Sequence, residues 1–267
     1  GVTRLLPGGG CFVTAVTTGE GERAFSYWIQ DAGSTSLRPI TLPDSFVELS
    51  DAQPVDEDTL LLLGLTLAPA SGDVPDVLVD ENGMMRTITV WKMELPSGSC
   101  EELPGMANDF GGSTISGMVP DPGEPDSFYS LRYLESGVQL MHTSLDGSSS
   151  VVFENLPFPS AFAACSDQDG NYYYASQEGI YRVARGGSLA ELIVDGASTV
   201  LANTSNTPWG MLRCPDGSFL VVVLENQPSV DGQNSESQPR VYRYYWDADA
   251  AAAPAGSSLT VWSLENN

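Results

Sequence analysis

An all-β fold built from repeated four-stranded sheets is the class this sequence predicts, on three observations. Apolar runs of five to eight residues, rich in Val, Ile, Leu, Tyr, Phe and Thr, recur along all 267 residues. Clusters of Gly, Pro, Asp and Ser split them, and no long amphipathic helical pattern intervenes. The order strand, tight turn, strand repeats at roughly blade length, which points to a β-propeller rather than a sandwich or a simple barrel.

The clearest unit spans 160–196. It holds Phe162–Ser166, the turn Asp167-Gln-Asp-Gly170, Asn171–Ser176, the tight turn at Glu178-Gly179, Ile180–Ala184 and Leu189–Val194. The same order returns at 207–265: Trp209–Cys214, the turn Pro215-Asp-Gly217, Phe219–Leu224, Arg240–Trp246 and Leu259–Leu264. Upstream, 115–157 carries Ile115–Val119, Phe128–Tyr133, Val138–Thr143 and Ser150–Glu154. The unit 46–106 carries Phe46–Ser50, Thr59–Leu63, Thr87–Met93 and Cys100–Leu103. The first, 2–44, carries Val2–Leu6, Cys11–Val16, Ala24–Ile29 and Leu37–Thr41. Twenty strands thus make five blades in one domain; six blades fit this length less well. In a shifted register Val2–Leu6 would complete the last blade instead. The segments 68–86 and 225–239 are longer than the turns around them and occupy equivalent places in blades two and five. They are expected on one face, as tolerated insertions or as a binding rim. The Ala-rich segment 248–256 reads as a linker.

Composition removes several functions. Eleven basic residues against 35 acidic ones leave a net charge of −24. So acidic a surface repels phosphate backbones and anionic headgroups, which excludes general nucleic-acid binding and docking on such membranes. No apolar stretch approaches the ~18 residues a membrane helix needs. His142 is the only histidine, so multi-histidine metal sites are ruled out and any triad is weakened. The G-x-S-x-G elbow and the Walker and Rossmann glycine patterns are missing from the sequence, and Gly8-Gly9-Gly10 precedes a strand. Only Lys92 is lysine among the basic residues. With abundant carboxylate, this suits a saline habitat or a place outside the cell. Cys11, Cys100, Cys165 and Cys214 are widely spaced, with no C-x-x-C pair. An even count in such a chain predicts two disulfides in an oxidising compartment, with three connectivities open. A secreted, cell-surface or periplasmic protein is therefore expected, its signal peptide lying outside the numbered chain.

Five residues are candidate site positions. Glu48, Asp51, Asp121 and Asp167 lie on or just beyond innermost strands, where a carboxylate pair performing glycoside hydrolysis would have to sit. Asp167-Gln-Asp-Gly-Asn171 also resembles the start of a Ca²⁺ loop but lacks the later bidentate Glu; an ordinary turn explains the same letters. Trp209 heads an innermost strand and is the best aromatic candidate for stacking on a sugar or a protein partner. The other aromatics, Tyr27-Trp28, Tyr172-Tyr173-Tyr174 and Tyr242 with Tyr244-Tyr245-Trp246, are expected mostly between blades. His142 is read as structural. Asn203-Thr-Ser205 is a glycosylation sequon.

The segments Pro159–Ser176 and Thr207–Val223, with their Asp-Gln-Asp-Gly and Pro-Asp-Gly turns leading into apolar strands, resemble blades of the NHL and SMP-30/gluconolactonase-like propellers. The resemblance covers mainly 159–224 and implies a propeller fold. Sugar lactonases of that group hold a divalent cation on the axis with Glu, Asn and Asp. Trp209-Gly210 stands here where those sequences often place Asn-Gly, so no ligand set is carried over. Two functions follow as expectations. One is a non-enzymatic binding module that engages a protein or glycan through its loop face. The other is a metal-dependent hydrolase, lactonase- or glycosidase-like, with its site in the axial funnel and Ca²⁺ as the candidate ion.

Overall fold

The computed structural model describes residues 3–6, 9–19, 22–69, 82–103, 114–157, 159, 162–197, 199–226, 237–246 and 259–263. Its strands fall into five four-stranded antiparallel sheets, the blades of a β-propeller, each running in sequence order from first to fourth strand. Blade one is β1 (Thr3–Leu5), β2 (Cys11–Gly19), β3 (Glu22–Gln30) and β4 (Leu37–Ile40). Blade two is β5 (Phe46–Pro54), β6 (Thr59–Pro69), β7 (Met84–Glu94) and β8 (Cys100–Glu102). Blade three is β9 (Thr114–Pro120), β10 (Ser127–Leu134), β11 (Gly137–Ser144) and β12 (Ser149–Phe153). Blade four is β13 (Ala164–Ser166), β14 (Tyr172–Ala175), β15 (Gly179–Val183) and β16 (Ala190–Asp195). Blade five is β17 (Thr207–Arg213), β18 (Phe219–Asn226), β19 (Ser237–Tyr244) and β20 (Leu259–Ser263).

All twenty expected strands are present, and β1 pairs with β2, from Thr3 opposite Val13 to Leu5 opposite Cys11. The shifted register, with the first strand in the last blade, is therefore wrong. β6 and β7 are longer than expected. They stay paired out to Pro69 opposite Met84, so the ladder takes up the two ends of the expected 68–86 loop. Residues 70–81, 227–236 and 247–258, which hold the centres of both long loops and the Ala-rich linker, lie outside the described residues. Among those described, no helix is long and apolar enough to cross a membrane.

By packing, the chain divides into two compact units. The first comprises Gly1–Pro120, Pro125–Glu135 and Met141–Ser150; the second comprises Asp121–Glu124, Ser136–Leu140 and Val151–Asn267. In the first unit β5 lies beside both β1 and β9, so first strands neighbour one another as innermost strands do. Alternation along each strand sends apolar residues to both faces of a blade. Phe12, Ile29, Leu49, Leu60, Leu62 and Met93 pack into one cluster, and Leu61, Leu63, Val90, Met118 and Phe128 into another.

In the second unit β13 lies beside β17. The three consecutive tyrosines of β14 are all buried, because both faces of that blade are covered. Tyr173 points toward blade five and meets Phe219 at 5.1 Å between centroids. Tyr174 points the other way, stacks on Tyr181 at 5.2 Å and donates its hydroxyl to the Pro157 carbonyl at 3.1 Å. Full burial of such rings contributes roughly 2–3 kcal/mol each. A short 3-10 turn, Val200–Ala202, capped by the Thr199 hydroxyl, carries the chain toward blade five.

Candidate binding site

The turns that follow the first strands of blades four and five are built by one device. An aspartate opens the turn, its carboxylate accepts backbone N–H groups two to four residues on, and glycine takes the position where φ is positive. Asp167 Oδ1 accepts from the N–H groups of Asp169 and Asn171, both at 3.0 Å. The Asn171 amide reaches both oxygens, at 3.1 and 3.0 Å. Asp216 accepts from the Ser218 N–H at 3.0 Å and from its hydroxyl at 2.6 Å.

Arginines then complete these carboxylates. Arg213, at the end of β17, donates to Asp167 Oδ2, to which the Tyr173 hydroxyl also donates at 2.7 Å. Arg243 donates to Asp216 Oδ2 at 2.5 Å. Arg185 donates to Asp121 Oδ2, to Glu124 Oε2 at 3.0 Å and to the Asp169 carbonyl at 3.2 Å. Asp121 Oδ1 meanwhile accepts from the Gly123 N–H at 3.0 Å. A cleft of about 570 Å³ opens between the two turns, lined by Ser166, Gln168, Asp169, Arg213, Cys214 and Pro122.

The electrostatics follow from this bonding. Burial pushes the Asp167 carboxyl up, but hydrogen bonds from Asn171 and Tyr173 and the Arg213 charge outweigh it and hold it below the usual carboxylate range. Burial and the adjacent Asp167 carboxylate raise the Tyr173 phenol. The Ser218 hydroxyl and N–H hold Asp216 low. These are ionised, fully engaged carboxylates, suited to holding turns and unsuited to proton transfer near neutral pH.

The other two acidic candidates lie in the first unit. Asp51 is buried on β5, where its carboxylate accepts from the Ala52 N–H at 2.8 Å and from the Gln53 amide at 3.3 and 3.1 Å. Glu48 is half-buried on the same strand, between two β-bulges, and makes no hydrogen bond or ion pair among the described residues. The turns of Asp121 and Asp167 adjoin through Arg185, but each carboxylate keeps its own arginine.

Trp209 differs from all of these. The β17–β18 register shifts between Pro208 and Gly210, which leaves Trp209 as the extra residue of a bulge. A bulge re-aims a side chain out of its ladder. The indole is 49% exposed and stacks on Phe162, itself 48% exposed, at 4.4 Å between centroids and 23° between planes. Leu212 on the same strand is 60% exposed. Phe162 was expected within the first strand of blade four, yet that strand begins only at Ala164, and the ring ahead of it stacks on Trp209. The large apolar residue ahead of a three-residue strand was the available sequence signal.

The expected disulfides are not met: Cys11, Cys100, Cys165 and Cys214 are free thiols. Cys11 donates to Gln30 Oε1 at 3.4 Å and Cys100 to the Gly98 carbonyl at 3.7 Å, so each is satisfied within its own blade. Cys165 is buried in the blade four–five core, and burial pushes its thiol up to about 12. His142 shares a 3.0 Å hydrogen bond with Ser127 and packs its ring 4.8 Å from Tyr129. The Asn203 side chain accepts from the Ser205 N–H at 3.0 Å in an exposed turn.

No protein-family model matches the chain. No curated protein sequence matches it either. Solved structures do match in fold. The luciferin-regenerating enzyme is 12% identical over 86% of this chain and 75% of its own, with a TM-score of 0.51. A gluconolactonase from Xanthomonas campestris is 11% identical over 73% of this chain and 61% of its own, with a TM-score of 0.47. TolB from Acinetobacter baumannii is 11% identical over 82% and 57%, with a TM-score of 0.49. The chain thus spans about three-fifths of the length of the last two. The likeness is one of fold alone.

Proposed function

We propose that this propeller is a binding module acting outside the cytoplasm, and that it holds a sugar ring of a glycan on the Phe162–Trp209 platform. The observation that carries this reading is the stacked, half-exposed aromatic pair, set at a bulge that turns Trp209 out of its strand. Two large rings left half-exposed, on a blade that also exposes Leu212, forgo part of the burial energy that its other aromatics secure. Flat, rigid rings offer contact area at low entropic cost, and the C–H face of a pyranose fits them. The acidic, lysine-poor surface supports an extracytoplasmic setting.

A metal-dependent hydrolase would need carboxylates free to bind a cation or pass a proton. Asp121 and Asp167 instead have oxygens committed to turn amides and arginines. Calorimetric titration with soluble oligosaccharides tests the reading. Trp209→Ala and Phe162→Ala should each weaken binding about tenfold or more, while leaving the melting temperature within about 2 °C, because both rings are half-exposed. Capture of a protein partner that depends on the same two rings, without any glycan response, would replace the glycan with a protein ligand. Binding unchanged in both variants would remove the site from this surface.

A further inference from the structure

The aromatic platform leaves one motif of the sequence without a role. Asn203-Thr-Ser205 is the only Asn-x-Ser/Thr triplet in the chain, and it lies in the connection from β16 to β17. Such a triplet is short, and its meaning depends on where the fold puts it. A glycan is bulky, so its asparagine must stand at the surface with the amide nitrogen free.

Both conditions are met. Leu201, in the 3-10 turn just ahead, is buried in the blade four–five core and anchors the segment. The Asn206 amide donates to the Val200 carbonyl at 2.9 Å, and the Asn226 amide donates to the Ser205 carbonyl, which ties the loop at two further points. Residues 202–205 nonetheless stand exposed. Asn203 is in extended backbone, and its Oδ1 closes an Asx turn on the Ser205 N–H at 3.0 Å. That bond uses the oxygen only. Asn203 Nδ2 and the Ser205 hydroxyl make no hydrogen bond among the described residues. The side-chain amides of Asn171, Asn206 and Asn226, by contrast, are all donated within the fold.

We infer that Asn203 is the acceptor of an N-linked glycan. Its Nδ2 forms a bond to the anomeric carbon of the first sugar, and the bond from that carbon to the phosphate oxygen of a lipid-pyrophosphate oligosaccharide breaks. The lipid pyrophosphate leaves with the electron pair. The amide proton passes to a base of the transferase, which reads the Ser205 hydroxyl of the triplet. Oδ1 takes no part, so the Asx turn survives the modification. Chains acquire such glycans on leaving the cytoplasm, so the assignment rests on the extracytoplasmic setting proposed above.

Secretion of the full chain, behind a cleavable leader, from a glycosylating eukaryotic host tests the assignment. Trypsin cuts after Arg185 and Arg213, so mass spectrometry reads the triplet in the single peptide Gly186–Arg213. That peptide should carry the added mass of an oligosaccharide, and peptide N-glycosidase should remove it and leave an aspartate in place of Asn203. Asn203→Gln and Ser205→Ala should each abolish the addition, while Ser205→Thr should keep it. An unmodified peptide from secreted wild-type protein, or a sugar retained on the peptide after Asn203→Gln, would overturn the assignment. The wild-type peptide decides the case even if a variant fails to fold and leave the host. The leader routes the chain whatever its native destination, so an unmodified peptide counts against Asn203 alone. Recovery of the protein from the cytoplasm of its own cells would instead sink the extracytoplasmic setting, and the native glycan with it.

Discussion

The Arg213 guanidinium lies 4.8 Å over the ring of Tyr173 while donating to the Asp167 carboxylate that Tyr173 also bonds. One arginine from the last strand-end of blade five's first strand thereby closes the first turn of blade four. Asp167→Asn keeps the shape and removes the charge. It should cost about 1.5–3 kcal/mol at neutral pH, the range for hydrogen bonds to a charged group. The sign with pH is fixed by the depressed carboxyl. Its contribution is complete above the unfolded value of about 3.9 and is lost as pH falls through the lower folded value. Urea titrations at about pH 7 and pH 3 should therefore show a smaller acid loss in the variant than in wild type. Parallel losses would detach the acid sensitivity from this carboxylate.

Two turn glycines separate backbone strain from crowding. Gly217 has φ +81° and open space where a Cβ would go, so Gly217→Ala should cost about 1 kcal/mol from the left-handed backbone alone. Gly170 has φ +75° and a Cβ there would overlap the Arg185 guanidinium. Gly170→Ala should cost about 3 kcal/mol, because Arg185 must also give up Asp121, Glu124 and the Asp169 carbonyl. Denaturant midpoints would read the difference, and equal losses would show that Arg185 contributes little.

Thiol labelling should follow burial. Cys165, pushed up to about 12 mainly by burial, stays protonated and inaccessible. Near pH 8 a disulfide reagent should label the other three thiols of the native protein and reach Cys165 only after unfolding. Rapid labelling of Cys165 would mean that the blade four–five core opens readily.

Calcium should have little effect on stability. An ion at 100 times its dissociation constant would add about 2.7 kcal/mol, or roughly 5 °C or more. With Asp121 and Asp167 engaged by arginines, millimolar Ca²⁺ after EDTA should move the melting temperature by less than about 1 °C. A rise of about 5 °C would favour the hydrolase over the binding module.

The fold was legible because hydrophobic alternation and turn chemistry are local. Asp167-Gln-Asp-Gly170 and Pro215-Asp-Gly217 announce their turns within four residues, and strands such as Phe219–Leu224 announce themselves by β-branched content. Trp209 was legible as a position, since an aromatic at the head of an innermost strand stands out. Its bulge and its partner Phe162 were not, because register depends on pairing with a strand ten residues away. The role of the acids was illegible for the same reason. Asp167 is answered by Arg213, 46 residues on, and Asp121 by Arg185, 64 residues on. A lone carboxylate in a sequence carries no mark of which distant arginine will find it.

Those same separations set an order of events during synthesis. Asp121 and Asp167 leave the ribosome well before the arginines that answer them. At ~5–20 residues per second the 46-residue wait for Arg213 lasts on the order of 2–9 s. Through that interval the nascent fourth blade carries an uncompensated carboxylate and an open flank where Phe219 will later cover Tyr173. Blade five thus locks blade four, which is made before it, and a translational pause ahead of 207–213 would prolong the period in which that flank is open to chaperones or to other nascent chains.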